Sequence, residues 1–204
     1  MTLQLSGIFP PVPTPFTAEG GLALPALKEN LAHWNRFDLR GYIVLGSNGE
    51  FVFLSEQEKL KVLETARTAV PSNKLLIAGT GCQGTQETIE LTKKAAASGA
   101  NAALVLTPSY YKGRMTSEAL VRHYHTVADA SPIPILIYNM PACTGIDLDA
   151  ATIAAIAAHP NIVGLKDSGG NVVKMGDIRR LVGRPSSEHG VGVRSAVCDP
   201  SGTR

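Results

Sequence analysis

Short runs of apolar and β-branched residues recur at residues 7–12, 41–46, 75–81, 102–108, 134–141 and 162–168. Between them, apolar residues return at helical spacing over roughly 24–37, 55–70, 85–98, 116–130, 149–158 and 171–182. The pattern predicts six consecutive βα units. Start signals support the helices: Ser55 followed by Glu58 has the form of a capping box, and Thr116 and Asp149 stand where N-caps belong. Strands alternating with helices imply an α/β fold with a parallel sheet, either doubly wound or of the (β/α)8 TIM-barrel type.

The polar residues choose between these two. Directly after five of the apolar runs come Gly46-Ser-Asn-Gly-Glu50, Gly79-Thr-Gly81, Thr107-Pro-Ser-Tyr-Tyr-Lys112, Tyr138-Asn-Met-Pro141 and Lys166-Asp-Ser-Gly-Gly170. Successive strands thus deliver hydrogen-bonding and reactive groups at their C-terminal ends. In a barrel all of those ends meet at one mouth, whereas in an open sheet only the loops at the switch point share a crevice. The expectation is a partial TIM barrel over residues 1–182. Residues 183–204 break the pattern, since ten of these 22 are Gly, Pro or Ser, and they are expected to form a disordered tail.

Composition removes several classes of function. Apolar residues make up 44% and charged residues 18%, with a net charge of +2 and Lys and Arg scattered along the chain, so no nucleic-acid surface is expected. No apolar run approaches the length of a membrane span, and the N-terminal residues have neither signal-peptide nor presequence character. Cys82, Cys143 and Cys198 are odd in number and far apart, giving neither a disulfide framework nor a metal motif. These features predict a cytoplasmic protein acting on a small molecule. His123 and His125, at i and i+2 on a helix, point to different faces, and no metal is expected. Gly79, Gly81 and Gly84 lack the spacing of a dinucleotide fingerprint, and no cofactor is expected.

Lys166 is the residue to explain. At the inner end of a buried strand a lysine loses solvation, which disfavours its ammonium form, and a neutral amine attacks carbonyls to form a Schiff base. Taken alone, the lysine is equally well read as snorkelling out from a strand end. Tyr138 alone is a strand-end aromatic, and Gly46-Ser-Asn-Gly an ordinary turn. In combination and in this order, Gly46-Ser-Asn-Gly-Glu50, Tyr138-Asn-Met-Pro141 with Thr144-Gly145, and Gly164-Leu-Lys-Asp-Ser168 resemble the motifs of the dihydrodipicolinate synthase / N-acetylneuraminate lyase family of class I pyruvate aldolases. The resemblance spans about residues 5–180 and is strongest to the 4-hydroxy-2-oxoglutarate aldolase branch.

The resemblance implies a Schiff base on Lys166 and proton exchange through Tyr138. Ser47 would be a relay partner of Tyr138 and, with Asn48, part of a carboxylate cradle. One of Tyr110 and Tyr111 would complete the relay across a subunit interface, Tyr111 as the catalytic candidate and Tyr110 as a substrate contact. Ser109 makes this loop one residue longer than in synthase members and leaves the choice between them open. Ser168 would face the distal part of the substrate. The substrate would be a pyruvate-type 2-oxo acid, and the assembly a homodimer or homotetramer. Synthase members usually carry an arginine where this chain has Cys143, and a thiol cannot make a bidentate carboxylate contact. Cleavage of a short 4-hydroxy-2-oxo acid is therefore expected, ahead of dihydrodipicolinate synthesis or sugar-acid lysis. A competing expectation comes from length: a barrel takes about 250 residues, so six units and a tail would fit a truncated, non-catalytic subunit lacking strands seven and eight.

Overall fold

The computed structural model describes residues 3–183 and 192–193. Its contacts divide into two compact units. The first holds residues 1–80, 89–104 and 132–134, and the second residues 81–88, 105–131 and 135–204.

In the first unit, α1 (Leu24–Trp34) precedes β1 (Gly41–Val44), α2 (Glu56–Ala69) and β2 (Leu75–Gly79), and β3 (Ala102–Leu106) begins there. β1 pairs in parallel with β2, and β2 with the start of β3. All four residues of β1 are buried, as expected of a strand covered on both faces. α1 and α2 pack together, and their buried residues include Leu27, Leu31, Leu63 and Ala66. The capping box at Ser55 forms as expected: its Oγ accepts from Glu58 N at 3.3 Å, and Glu58 Oε2 accepts from Ser55 N at 2.9 Å.

The apolar run 7–12 does not become a regular strand. It lies parallel to β1, with Ile43 N donating to Pro10 O at 3.1 Å and Val12 N donating to Ile43 O at 2.8 Å, but among the described residues its only bridge is Pro11 with Ile43. Pro10, Pro11 and Pro13 remove the donors that a longer ladder needs.

In the second unit lie α4 (Ser117–Ala130), β4 (Ile135–Asn139), the single turn α5 (Pro141–Thr144), α6 (Ala150–Ala157), β5 (Ile162–Asp167) and α7 (Val172–Val182). α3 (Thr85–Ala97) opens in this unit and closes in the first. β4 and β5 pair in parallel along their lengths, and α6 packs on α4 and α7. The caps expected at Thr116 and Asp149 accept from Ala119 N at 3.2 Å and Thr152 N at 2.7 Å. Gly192–Val193 form a short β6 in parallel with Gly164 and Leu165 of β5. The rest of the expected tail, residues 184–191 and 194–204, lies outside the described residues. No helix among the described residues is long and apolar enough to cross a membrane.

Candidate functional site

Parallel pairing of β4 with β5 sets Tyr138 opposite Lys166 and Asn139 opposite Asp167. The Lys166 Nζ lies 3.9 Å from the centroid of the Tyr138 ring. Lys166 exposes 8% and Tyr138 3% of their surfaces, so the lysine amino group rests on an aromatic face and both are largely withdrawn from solvent. Behind β4, the fully buried Tyr124 of α4 donates its hydroxyl to Val105 O at 3.0 Å and lies 3.3 Å from Thr107 Oγ1. Burial pushes the Tyr124 phenol up, against the hydrogen bonds with Thr107 and the Tyr138 backbone. It serves as a fixed strut under the strand that carries Tyr138.

The next residues along these strands, which sequence reasoning passed over, form a polar cluster. Asn139 Nδ2 donates to Asp167 Oδ2 at 2.8 Å and to Asp147 Oδ1 at 2.7 Å, and its Oδ1 accepts from Leu148 N at 3.0 Å. Lys174 of α7 donates to Asp147 Oδ1 and lies 3.2 Å from Asp167 Oδ2. Gly169 N donates to Asp167 Oδ1 at 2.7 Å. Burial pushes the Asp147 carboxyl up, but the hydrogen bonds from Lys174 and Asn139 and the Lys174 charge outweigh it and hold the group below its usual range. The only signal in the sequence was adjacency, Asn139 following Tyr138 and Asp167 following Lys166.

The other expected site residues fall as follows. Ser168 is half-buried, and its N–H donates to Asn139 O at 2.9 Å. Tyr110 and Tyr111 meet edge to face at 5.0 Å and expose 77% and 70% of their surfaces. Gln83 Oε1 holds their loop by accepting from Ser109 N at 2.8 Å and Tyr110 N at 2.9 Å. Both tyrosines line a cavity of about 330 Å³ with Gln83, Pro108 and Met115. Cys143 is exposed on α5.

Ser47 and Asn48 belong to the first unit, in a 3-10 turn over Ser47–Gly49 directly after β1. The turn is bracketed by two non-glycine residues with left-handed backbone, Leu45 at φ 57° and Glu50 at φ 52°. A bulky, buried residue in that region is strained, and such strain collects at functional sites. Gly79 on β2 makes room for it: a Cβ there would lie 1.9 Å from Leu45 O. Thr14 Oγ1 donates to Gly49 O at 2.7 Å and closes the turn.

His123 and His125 separate as their spacing requires. His123 meets Thr85 Oγ1 through Nδ1 at 2.9 Å, whereas His125 Nε2 meets the carbonyls of Ala155 and Ile156. Among the described residues no group of three or more His, Cys, Asp or Glu could hold a metal ion.

A sequence profile of the dihydrodipicolinate synthetase family matches residues 4–187. A probable mitochondrial 4-hydroxy-2-oxoglutarate aldolase of Emericella nidulans is 41% identical over 83% of this chain and 56% of its own length. A 4-hydroxy-tetrahydrodipicolinate synthase of Stenotrophomonas maltophilia is 38% identical over 93% of this chain and 62% of its own. Among solved structures, the chloride-inhibited dihydrodipicolinate synthase of Acinetobacter baumannii complexed with pyruvate superposes with a TM-score of 0.82 at 34% identity, covering 88% of this chain and 61% of that one. The chain therefore spans about three-fifths of the length of the relatives it matches. The likeness carries the expected fold class, α/β of the (β/α)8 barrel type.

Proposed function

The chain belongs to the dihydrodipicolinate synthetase family, and from that premise we propose that it carries the reacting lysine of a class I aldolase cleaving a short 4-hydroxy-2-oxo acid, such as 4-hydroxy-2-oxoglutarate, to pyruvate and glyoxylate. The observation that carries this reading is the buried Lys166 Nζ against the Tyr138 ring.

The Lys166 amine adds to the C2 ketone and water leaves, giving an iminium. As the C3–C4 bond breaks, its electron pair moves into the iminium to form an enamine, while the C4 hydroxyl gives its proton to the Tyr138 relay and becomes the aldehyde. Protonation of the enamine at C3 and hydrolysis release pyruvate and the free lysine. In this scheme Ser47 joins the relay and, with Asn48, cradles the C1 carboxylate. Tyr111 or Tyr110 completes the relay from a neighbouring subunit of a homo-oligomer, and Ser168 faces the distal end of the substrate. The scheme requires no metal or organic cofactor.

Cys143 favours cleavage over dihydrodipicolinate synthesis, because it offers no bidentate cation for a second substrate's carboxylate. The name of the Emericella relative points the same way, while that of the Stenotrophomonas relative keeps condensation with an aldehyde as the second reading. A sugar-acid lyase stands behind both. The cysteine pattern suits a reducing compartment, and we place the protein in the cytoplasm, although the Emericella relative is named as mitochondrial.

Borohydride reduction in the presence of pyruvate should attach a three-carbon unit to Lys166. Lys166→Arg should abolish both labelling and cleavage, since a guanidinium stays protonated. Label on another lysine would overturn the reading, and so would condensation faster than cleavage or loss of activity in chelator. Absence of label and turnover in this polypeptide would favour the competing reading of a non-catalytic subunit.

A further inference from the structure

We propose that Asn139, Asp147, Asp167 and Lys174 form a positioning network that holds Tyr138 and Lys166 from the opposite side of the β4–β5 pair, with Lys174 as its central member. The proposal rests on Lys166 being the reacting amine.

Successive side chains of a strand leave on opposite faces. Tyr138 and Lys166 meet on one face, so their neighbours Asn139 and Asp167 meet on the other, one residue further along the same register. There the side chains leave little unpaired. Both Asn139 Nδ2 hydrogens are used, on Asp147 and Asp167, and its Oδ1 takes Leu148 N. Asp167 takes Gly169 N on one oxygen and both Asn139 and Lys174 on the other. Asn139 is wholly buried, Asp167 exposes 4% and Lys174 8%.

The cluster joins the ends of β4 and β5, the loop at Asp147–Leu148 and the first turn of α7. A buried ion pair contributes little net stability over apolar residues of similar volume, because desolvation offsets its attraction. Its hydrogen bonds, however, fix direction. A slip of either strand end would break several of them at once and would also turn Lys166 away from Tyr138. Reacting groups need such support, since small misplacements cost large factors in rate.

The test uses Lys174→Met and the double variant Asp167→Asn/Lys174→Met in this chain. Three quantities are measured: the thermal midpoint, the rate at which trinitrobenzenesulfonate modifies Lys166 by peptide mapping, and the rate of pyruvate trapping by borohydride against pyruvate concentration. Lys174→Met leaves Asp167 buried without its cation, and its midpoint should fall. The double variant removes that charge and should melt near wild type.

In the double variant, modification of Lys166 should still change by about fivefold, and maximal trapping should fall by about tenfold with half-saturating pyruvate little changed. Wild-type modification and trapping rates in the double variant would show that the cluster only stabilises the fold, and would overturn the proposal. If the single variant does not fold, the double variant decides alone. If wild-type Lys166 takes up no pyruvate, the aldolase reading fails for this chain alone, and the modification rates still decide whether the network sets the position of Lys166.

Discussion

The turn after β1 and the ends of β4 and β5 hold candidate site residues by opposite means. Around Ser47 and Asn48 much of the constraint is in the backbone: left-handed Leu45 and Glu50, the close approach of Gly79 to Leu45 O, and the bond that Thr14 Oγ1 donates to Gly49 O. Around Tyr138 and Lys166 the constraint is in side chains, through the buried bonds of Asn139, Asp167 and Lys174. Steric constraint of the first kind is indifferent to pH and intolerant of a single added methyl. Electrostatic constraint of the second kind tolerates changes of volume but not of charge balance.

Gly79→Ala is the most severe way to break the first arrangement. The new Cβ would sit 1.9 Å from Leu45 O, and neither partner is a flexible side-chain end. β2 must move from β1, or Leu45 must leave its conformation, at a cost of about 3–5 kcal/mol. Urea denaturation of the variant measures this. A loss well under 1 kcal/mol would show that the turn yields easily and that its backbone is not what holds Ser47.

How far each region could be read from sequence follows from the same contrast. The β-branched runs at 41–46 and 162–168, the capping box at Ser55 and the caps at Thr116 and Asp149 act over a few residues, and their chemistry is visible locally. Residues 7–12 carry the apolar pattern of a strand, but Pro10 and Pro11 remove the donors that a ladder needs, and the backbone follows the donors. Tyr138 and Lys166 were legible through their motifs, but Lys174 reads as an ordinary helix-surface lysine. Its partners are fixed only once β4, β5 and α7 come together. The strain at Leu45 was equally hidden, since nothing in Val-Leu-Gly-Ser announces a left-handed leucine.

Acid should separate the two regions next. In the second unit, burial lowers the His123 imidazole from 6.5 to about 4, and its Nε2 is buried without a partner among the described residues. As pH falls, the unfolded chain takes up this proton near 6.5 while the folded one resists until about 4. The stability present above 6.5 is therefore lost across that window, to a total of about 3 kcal/mol. Asp147, held low in the folded state, gives a further loss below its unfolded value of 3.8. Hydrogen exchange should show β4 and α4 losing protection before β1, whose turn is held in part by backbone geometry. His123→Asn, which keeps a partner for Thr85, should flatten the slope between pH 6.5 and 4. An unchanged slope would assign the acid sensitivity elsewhere.

The smallest expected effect has the opposite sign and tests the strain directly. Glu50 is exposed at φ 52°, and its N–H donates to Ser47 O at 3.1 Å. The left-handed conformation costs an L-residue about 1–2 kcal/mol and glycine almost nothing, while glycine gives back part of that gain through its freer unfolded chain. Glu50→Gly keeps the backbone bond, so it should raise stability by about 0.5–1 kcal/mol in urea titration. Leu45, with the same backbone, offers no such gain, because its side chain is 1% exposed and its burial outweighs the relief. A loss of stability in Glu50→Gly would mean that the left-handed residue is held by its side chain. The turn would then resemble the β4–β5 ends more than it differs from them.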